Sequence, residues 1–156
     1  MNIIDLLRDD LVAPNLKAGS KKEMLQEMLE AVQAKGLLRN LDTILTLLVK
    51  REELMSTGIG HGFAIPHAFT NEVEESFLMI GKVPEGADYD ALDGKPVYYL
   101  LLLLGPLSSQ GKHLKTLSRL SRIITRPGIE ESLATCSEPS DFLRVFREFE
   151  EKVRLD

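Results

Sequence analysis

Apolar positions recur at helical spacing in the first third of the chain, give way to short continuous runs in the middle, and return to helical spacing towards the end. Ser20 and Glu23 have the spacing of a capping box, and Met24, Leu25, Met28, Leu29 and Val32 form one face of a helix that ends at Gly36. A second helix is predicted from about Leu41 to Glu53, with Leu41, Ile44, Leu45 and Leu48 along one stripe. Phe77 to Val83 reads as a strand closed by Pro84 and Gly86. The run Val97 to Leu104 is apolar throughout, the pattern of a strand covered on both faces, and Gly105 and Pro106 end it. Helical spacing then resumes over about Lys112 to Thr125, stopped by Pro127 and Gly128, and over a short segment from Ile129 to Ala134. A last helix after Pro139 stacks Phe142, Phe146, Phe149 and Val153. Helices on either side of the strand region must cover a small central sheet, so the pattern predicts an α/β fold with one layer of sheet.

The chain has 156 residues and no visible linker, repeat or low-complexity tract, so residues 1–156 are expected to form one domain. Folded chains of this size bury about two-thirds of their unfolded surface, enough for a sizeable core. The net charge is -5 with both signs interspersed, which provides no broad basic surface; nucleic acid and anionic membrane are not expected partners. Cys136 is the only cysteine, so an intramolecular disulfide and a thiolate metal cluster are both ruled out, and a reducing cytoplasm is the expected setting. The apolar start MNIIDLL is interrupted by Asp5, Arg8, Asp9 and Asp10, unlike a signal peptide, and the run from Val97 is too short to cross a bilayer.

The candidate chemistry concentrates in Ser56 to Thr70. Gly58, Gly60 and Gly62 alternate and lead through Phe63, Ala64 and Ile65, a predicted short strand, to Pro66 and His67. That arrangement would hold one imidazole at the edge of a rigid sheet. A neutral imidazole is a good nucleophile towards phosphorus, and its ordinary pKa of about 6.5 leaves it largely unprotonated at neutral pH. The phosphoramidate it forms keeps a high transfer potential, which suits a relay.

The stretch STGIGHGFAIPH resembles the signature of the phosphotransferase-system (PTS) enzyme IIA family of the fructose, mannitol and nitrogen-regulatory type, whose phosphorylated histidine ends a run similar to STGIGxGxAIPH. The resemblance extends from the opening IIDLL to the terminal helix. It implies a mixed central sheet of about five strands flanked by helices, with His67 as the phosphorylated residue. It also implies a supporting role for His113, which opens HLKTLSRLSR where the family often carries a second active-site histidine. His113 lies just inside a predicted helix start, where free N–H groups favour an anion; a capping or solvent-facing histidine is the ordinary alternative. Arg51 matches the arginine of the family's REExxST, and a guanidinium can grip phosphoryl oxygens with two parallel donors. Its ordinary alternative is a surface arginine paired with Glu53 or Asp42. His61 departs from the pattern, since asparagine is common there. It is read as a solvated loop residue, ahead of a phosphoryl contact or a secondary acceptor.

Three histidines raise the question of a metal, but the spacing from His61 to His67 fits no zinc signature, and Glu72, Glu74 and Glu75 read as an exposed charged turn. No metal or cofactor is expected. No GxxxxGK[ST] loop is present to hold a nucleotide, so phosphate must arrive already activated. The resemblance implies that the donor is the phosphocarrier HPr or its nitrogen-branch counterpart, with enzyme I upstream. The group would then pass to a cysteine of an enzyme IIB, or remain as a signal to regulatory proteins. A single domain with no fused IIB and no membrane segment leans towards a nitrogen-regulatory IIA over a fructose-specific one. A binding module of the same fold that carries no phosphate, and a histidine-dependent phosphatase, are the competing classes. Lys115, Arg119, Arg122 and Arg126 share one helix face, either solvated or steering an acidic partner. Ile59 and Phe63 are either core or a docking patch.

Overall fold

The computed structural model describes residues 2–155. Its strands are β1 (Leu7–Ala13), β2 (Gly58–Gly60), β3 (Phe63–Ala64), β4 (His67–Phe69), β5 (Phe77–Ala87) and β6 (Val97–Gly105). Its helices are α1 (Lys21–Ala34), α2 (Leu41–Leu54), α3 (Gln110–Ile124), α4 (Ile129–Ala134) and α5 (Pro139–Leu155). The sheet runs β1-β5-β6-β3-β2, and β4 continues β3 along the same side of β6. Phe63 and Ala64 pair with Tyr99 and Leu100, while His67, Ala68 and Phe69 pair with Leu103, Leu104 and Gly105. Six strands thus fill five positions across the sheet. The sheet is mixed: β1 is parallel to β5, and β3 and β4 are parallel to β6. The β5–β6 and β2–β3 pairs are antiparallel.

The continuous apolar run of β6 follows from a core on each face. Leu100, Leu102 and Leu104 join Met24, Met28 and Leu29 of α1 and Ile44 and Leu48 of α2. Tyr99, Leu101 and Leu103 point the other way, into a cluster with Leu120 and Ile123 of α3, Leu133 of α4 and Phe142, Phe146 and Phe149 of α5. Successive strand residues alternate between faces, so a strand sandwiched between helices has no polar position. The expected capping box opens α1: the Ser20 hydroxyl accepts from the Glu23 N–H at 3.1 Å, and the Glu23 carboxylate accepts from the Ser20 N–H at 3.0 Å.

Three features differ from the sequence pattern. Strand β1 was not expected, because its ladder jumps from Leu7↔Leu78 to Val12↔Ile80 and exposes Arg8, Asp9 and Asp10 between, which erases the alternation. Strand β5 does not stop at Pro84 and Gly86 but runs to Ala87, its register shifting between Lys82 and Ala87; a bulge accommodates the proline. The basic stripe of α3 is largely committed inside the molecule. Arg119 bonds Asn2 and the buried Glu150, both at 3.2 Å, Arg122 donates to the Val153 carbonyl at 3.0 Å, and Arg126 donates to the Lys152 carbonyl at 3.3 Å. These bonds fasten α3 to α5 and pair the Arg119 charge with Glu150, while Arg122 and Arg126 bond neutral carbonyls and, like Lys115, keep their charge. Glu150 also accepts from the N–H groups of Ile3 and Ile4 at 2.6 and 3.1 Å, tying the first turn of the chain to the same seam. Among the described residues no helix is long and apolar enough to cross a membrane.

Candidate functional site

The site begins in the last turn of α2. The apolar stripe Leu41, Ile44, Leu45, Leu48 continues to Glu52, which is buried, while its neighbour Arg51 is exposed. The chain leaves the helix and Thr57 folds back on Glu52: its N–H donates to Oε1 at 3.0 Å and its hydroxyl donates to Oε2. The Thr57 carbonyl accepts from the Ile65 N–H at 3.0 Å, pinning the start of the glycine segment to its end. Pro66 has no N–H and interrupts the passage from β3 to β4. There the Ile65 carbonyl accepts from Nδ1 of His67 at 2.7 Å. A carbonyl only accepts, so the neutral ring carries its proton on Nδ1 and its lone pair on Nε2.

His67 is half-buried and lines a cleft of about 480 Å³ with Arg51, Leu54, Met55, Ile59 and Leu117. Burial lowers the pKa of the ring, more than the bond to Ile65 raises it. The Arg51 charge lowers it further and the Glu52 charge opposes that. The ring is therefore neutral at neutral pH. Around the cleft, Leu54 and Met55 are 88% and 70% exposed, an apolar rim beside the imidazole. Ile59 belongs to this rim, whereas Phe63 is fully buried and stacks on Tyr99 with ring centroids 5.1 Å apart. Phe63 is core and not a docking residue.

His113 is neither solvent-facing nor at the open start of its helix. Helix α3 begins at Gln110, earlier than its sequence pattern indicates, and places His113 one turn in, on the buried stripe that continues through Thr116, Leu120 and Ile123. Its ring packs on Phe69 with centroids 4.7 Å apart, and Phe69 meets His67 edge-on at 6.5 Å. Both imidazoles thus lean on one aromatic ring. Nε2 of His113 lies 2.9 Å from the Ser76 hydroxyl, and Nδ1 is buried with no hydrogen-bond partner. Burial, followed by the neighbouring His67, lowers its pKa. The ring sits over Gly105, where any Cβ would collide with Nε2 and with the Ser76 hydroxyl.

His61 lies elsewhere. It adopts a left-handed conformation, φ 58°, between Gly60 and Gly62 at 99° and 83°, and its N–H donates to Asp93 at 3.2 Å. It borders a separate depression with Asp93, Tyr98 and Glu130, not the His67 cleft. His61 thus does not line the His67 cleft, and Ile59 stands between the two depressions as a wall of both. Asparagine and histidine both tolerate the left-handed region better than most residues, so the departure from the family's asparagine preserves the turn. Among the described residues no group of three potential metal ligands comes together.

A model of the family described as "Phosphoenolpyruvate-dependent sugar phosphotransferase system, EIIA 2" matches residues 5–149. The chain belongs to this EIIA family. It is 35% identical over 134 residues to a nitrogen regulatory protein of Bradyrhizobium diazoefficiens, an alignment covering 85% of this chain and 86% of that protein. A fructose-specific EIIA component of Haloferax volcanii is 32% identical over 124 residues, covering 80% of each. The fold of this EIIA chain matches the crystal structure of the nitrogen regulatory protein IIA-Ntr of Neisseria meningitidis with a TM-score of 0.84 at 31% identity, over 92% of this chain and 98% of that one.

Sequence reasoning singled out Arg51, His67 and His113 and missed Glu52, Thr57 and Ser76. Glu52 had a readable signal, since it extends the apolar stripe of α2 by one turn. Ser76 had none, because its contact with His113 joins the start of β5 to α3 across the sheet end.

Proposed function

We propose that this EIIA domain is a phosphohistidine carrier, with His67 as acceptor and a histidine phosphocarrier of the HPr type as donor. The observation that supports this most is the 2.7 Å bond from His67 Nδ1 to the Ile65 carbonyl, which leaves the Nε2 lone pair available in a cleft. Nε2 attacks the phosphorus of the donor's phosphohistidine. The new N–P bond forms as the donor's N–P bond breaks, and that electron pair stays on the donor's ring. His67 becomes positively charged as it takes the group, and the Ile65 carbonyl stabilises the Nδ1–H of that imidazolium. Arg51, on the same cleft, offsets the phosphoryl charge with its fixed guanidinium. His113 supports from beneath, a neutral ring held by Ser76 and packed on the Phe69 that also borders His67. No nucleotide takes part, and the setting is the cytoplasm.

Onward transfer to a cysteine of an enzyme IIB and signalling by the phosphorylated state are both compatible with this chemistry. Similarity to nitrogen regulatory proteins over most of both chains favours the regulatory role. Similarity to a fructose-specific EIIA component keeps sugar uptake as the second reading.

Intact-mass spectrometry at alkaline pH, after incubation with enzyme I, an HPr-type carrier and phosphoenolpyruvate, tests the proposal. One acid-labile phosphoryl group is expected on the wild type and on His113→Ala, and none on His67→Ala. Absence of phosphorylation by either the sugar-branch or the nitrogen-branch carrier would overturn it in favour of a binding module.

A further inference from the structure

Glu52 takes no part in the transfer just described, yet its carboxylate is buried and surrounded by donors. Oε1 accepts from the Thr57 N–H at 3.0 Å and faces the Lys21 ammonium at 3.6 Å. Oε2 accepts from the Thr57 hydroxyl and from the Tyr89 hydroxyl at 3.3 Å. Lys21 also lies 3.4 Å from Asp90 and 5.1 Å from the centre of the Tyr89 ring, which holds the ammonium against the network. Burial and the Glu52 charge keep the Tyr89 phenol protonated, so it donates. The Thr57 N–H and the Lys21 ammonium can only donate, and the two hydroxyls complete the set around the carboxylate.

The place of this carboxylate in the helix runs against the helix dipole. Glu52 occupies the last turn of α2, the negative end of the helix dipole, where a carboxylate is disfavoured. A buried ion pair often contributes no more than a well-packed apolar replacement would. A local rule broken in this way points to a site requirement.

We infer that Glu52 is a positioning residue for His67. Its carboxylate clamps Thr57; the Thr57 carbonyl holds the Ile65 N–H; the Ile65 carbonyl holds Nδ1 of His67. The buried charge thus fixes which ring nitrogen is free, through two backbone links. The inference rests on the reading of His67 as phosphoryl acceptor for its consequence on rate, but its geometric content stands apart from that reading.

The test compares Glu52→Gln and Thr57→Val with the wild type in the intact chain. Glutamine keeps the volume but turns an NH2 towards a donor; valine removes only the hydroxyl donor and carries the test should the glutamine variant not fold. Nitrogen-15 spectra of the histidine rings report the tautomer, and single-turnover phosphorylation by the HPr-type carrier reports the rate. In the wild type the proton is expected on Nδ1 of His67. In the variants both tautomers should be populated, with the limiting rate falling roughly ten- to a hundredfold while the half-saturating donor concentration stays within about twofold. A lower melting temperature with the wild-type tautomer and limiting rate would assign Glu52 a purely structural role and overturn the inference. Failure of the wild type to accept phosphate would refute the acceptor reading alone, and the tautomer measurement would still decide the positioning.

Discussion

His61 and His67 stand in one glycine-rich segment, and the molecule treats them in opposite ways. His61 is used for its backbone: it takes a left-handed turn between two glycines, and its N–H donates to Asp93. His67 is used for its ring, which is held by a carbonyl two residues back and faces a cleft shared with Arg51. An imidazole becomes a chemical group when its neighbours fix its proton, its orientation and its access to a partner. Proximity in sequence supplies none of these.

The largest effect that tests this contrast is the loss of the proposed acceptor. His67→Ala should abolish phosphoryl incorporation, whereas His61→Ala should leave it at the wild-type level; label that survives the first change and disappears with the second would reverse the assignment. Next is Arg51→Ala, which removes the fixed positive charge from the cleft. Its limiting rate should fall roughly tenfold or more, as expected for a charge-assisted contact worth about 1.5–3 kcal/mol, and a stopped-flow rate equal to wild type would remove Arg51 from the site. Gly105→Ala drives a methyl group into His113 and Ser76. It should destabilise the fold by about 1–3 kcal/mol in urea titration, and an unchanged midpoint would show that the His113 ring has room to move.

The pH dependence follows from the two buried rings. Both His67 and His113 have pKa values below the ordinary histidine value, chiefly through burial. The unfolded chain therefore takes up protons first as pH falls. The stability these neutral rings contribute is fully present above about pH 6.5 and is lost as pH drops through their lower folded values. Urea titrations at about pH 7.5 and pH 5.5 should show this loss, and it should shrink in His113→Asn; an equal loss in that variant would place the titration elsewhere. The smallest effect belongs to His61→Asn, which keeps the left-handed turn and should alter stability by less than about 0.5 kcal/mol.

Much of this molecule was legible in the chain. Helices α1 and α2 have clean periodicity and α1 a true capping box, and β6 reads as doubly buried because it is. His67 was legible as the end of its motif. The remainder escaped for identifiable reasons. The short strand expected at Phe63 to Ile65 is present as β3, but β2 and β4, three residues each, are too short for an alternation to register, and β1 hides its alternation behind an extruded Arg8–Asp10 segment. His113 falls on the same stripe as Leu120 and Ile123, so its burial was available from spacing; its nearness to a helix start suggested exposure instead. Arg119, Arg122 and Arg126 illustrate the converse, a basic stripe whose partners lie on a helix far along the chain and cannot be read from α3 alone.

The most direct measurement is the position of phosphorus on the ring. Nitrogen-15 and phosphorus-31 spectra of the phosphorylated, histidine-labelled chain should show the phosphoryl group bonded to Nε2 of His67, with the proton retained on Nδ1 against the Ile65 carbonyl. A phosphoryl group on Nδ1, or on His61 or His113, would contradict the geometry on which the function has been built.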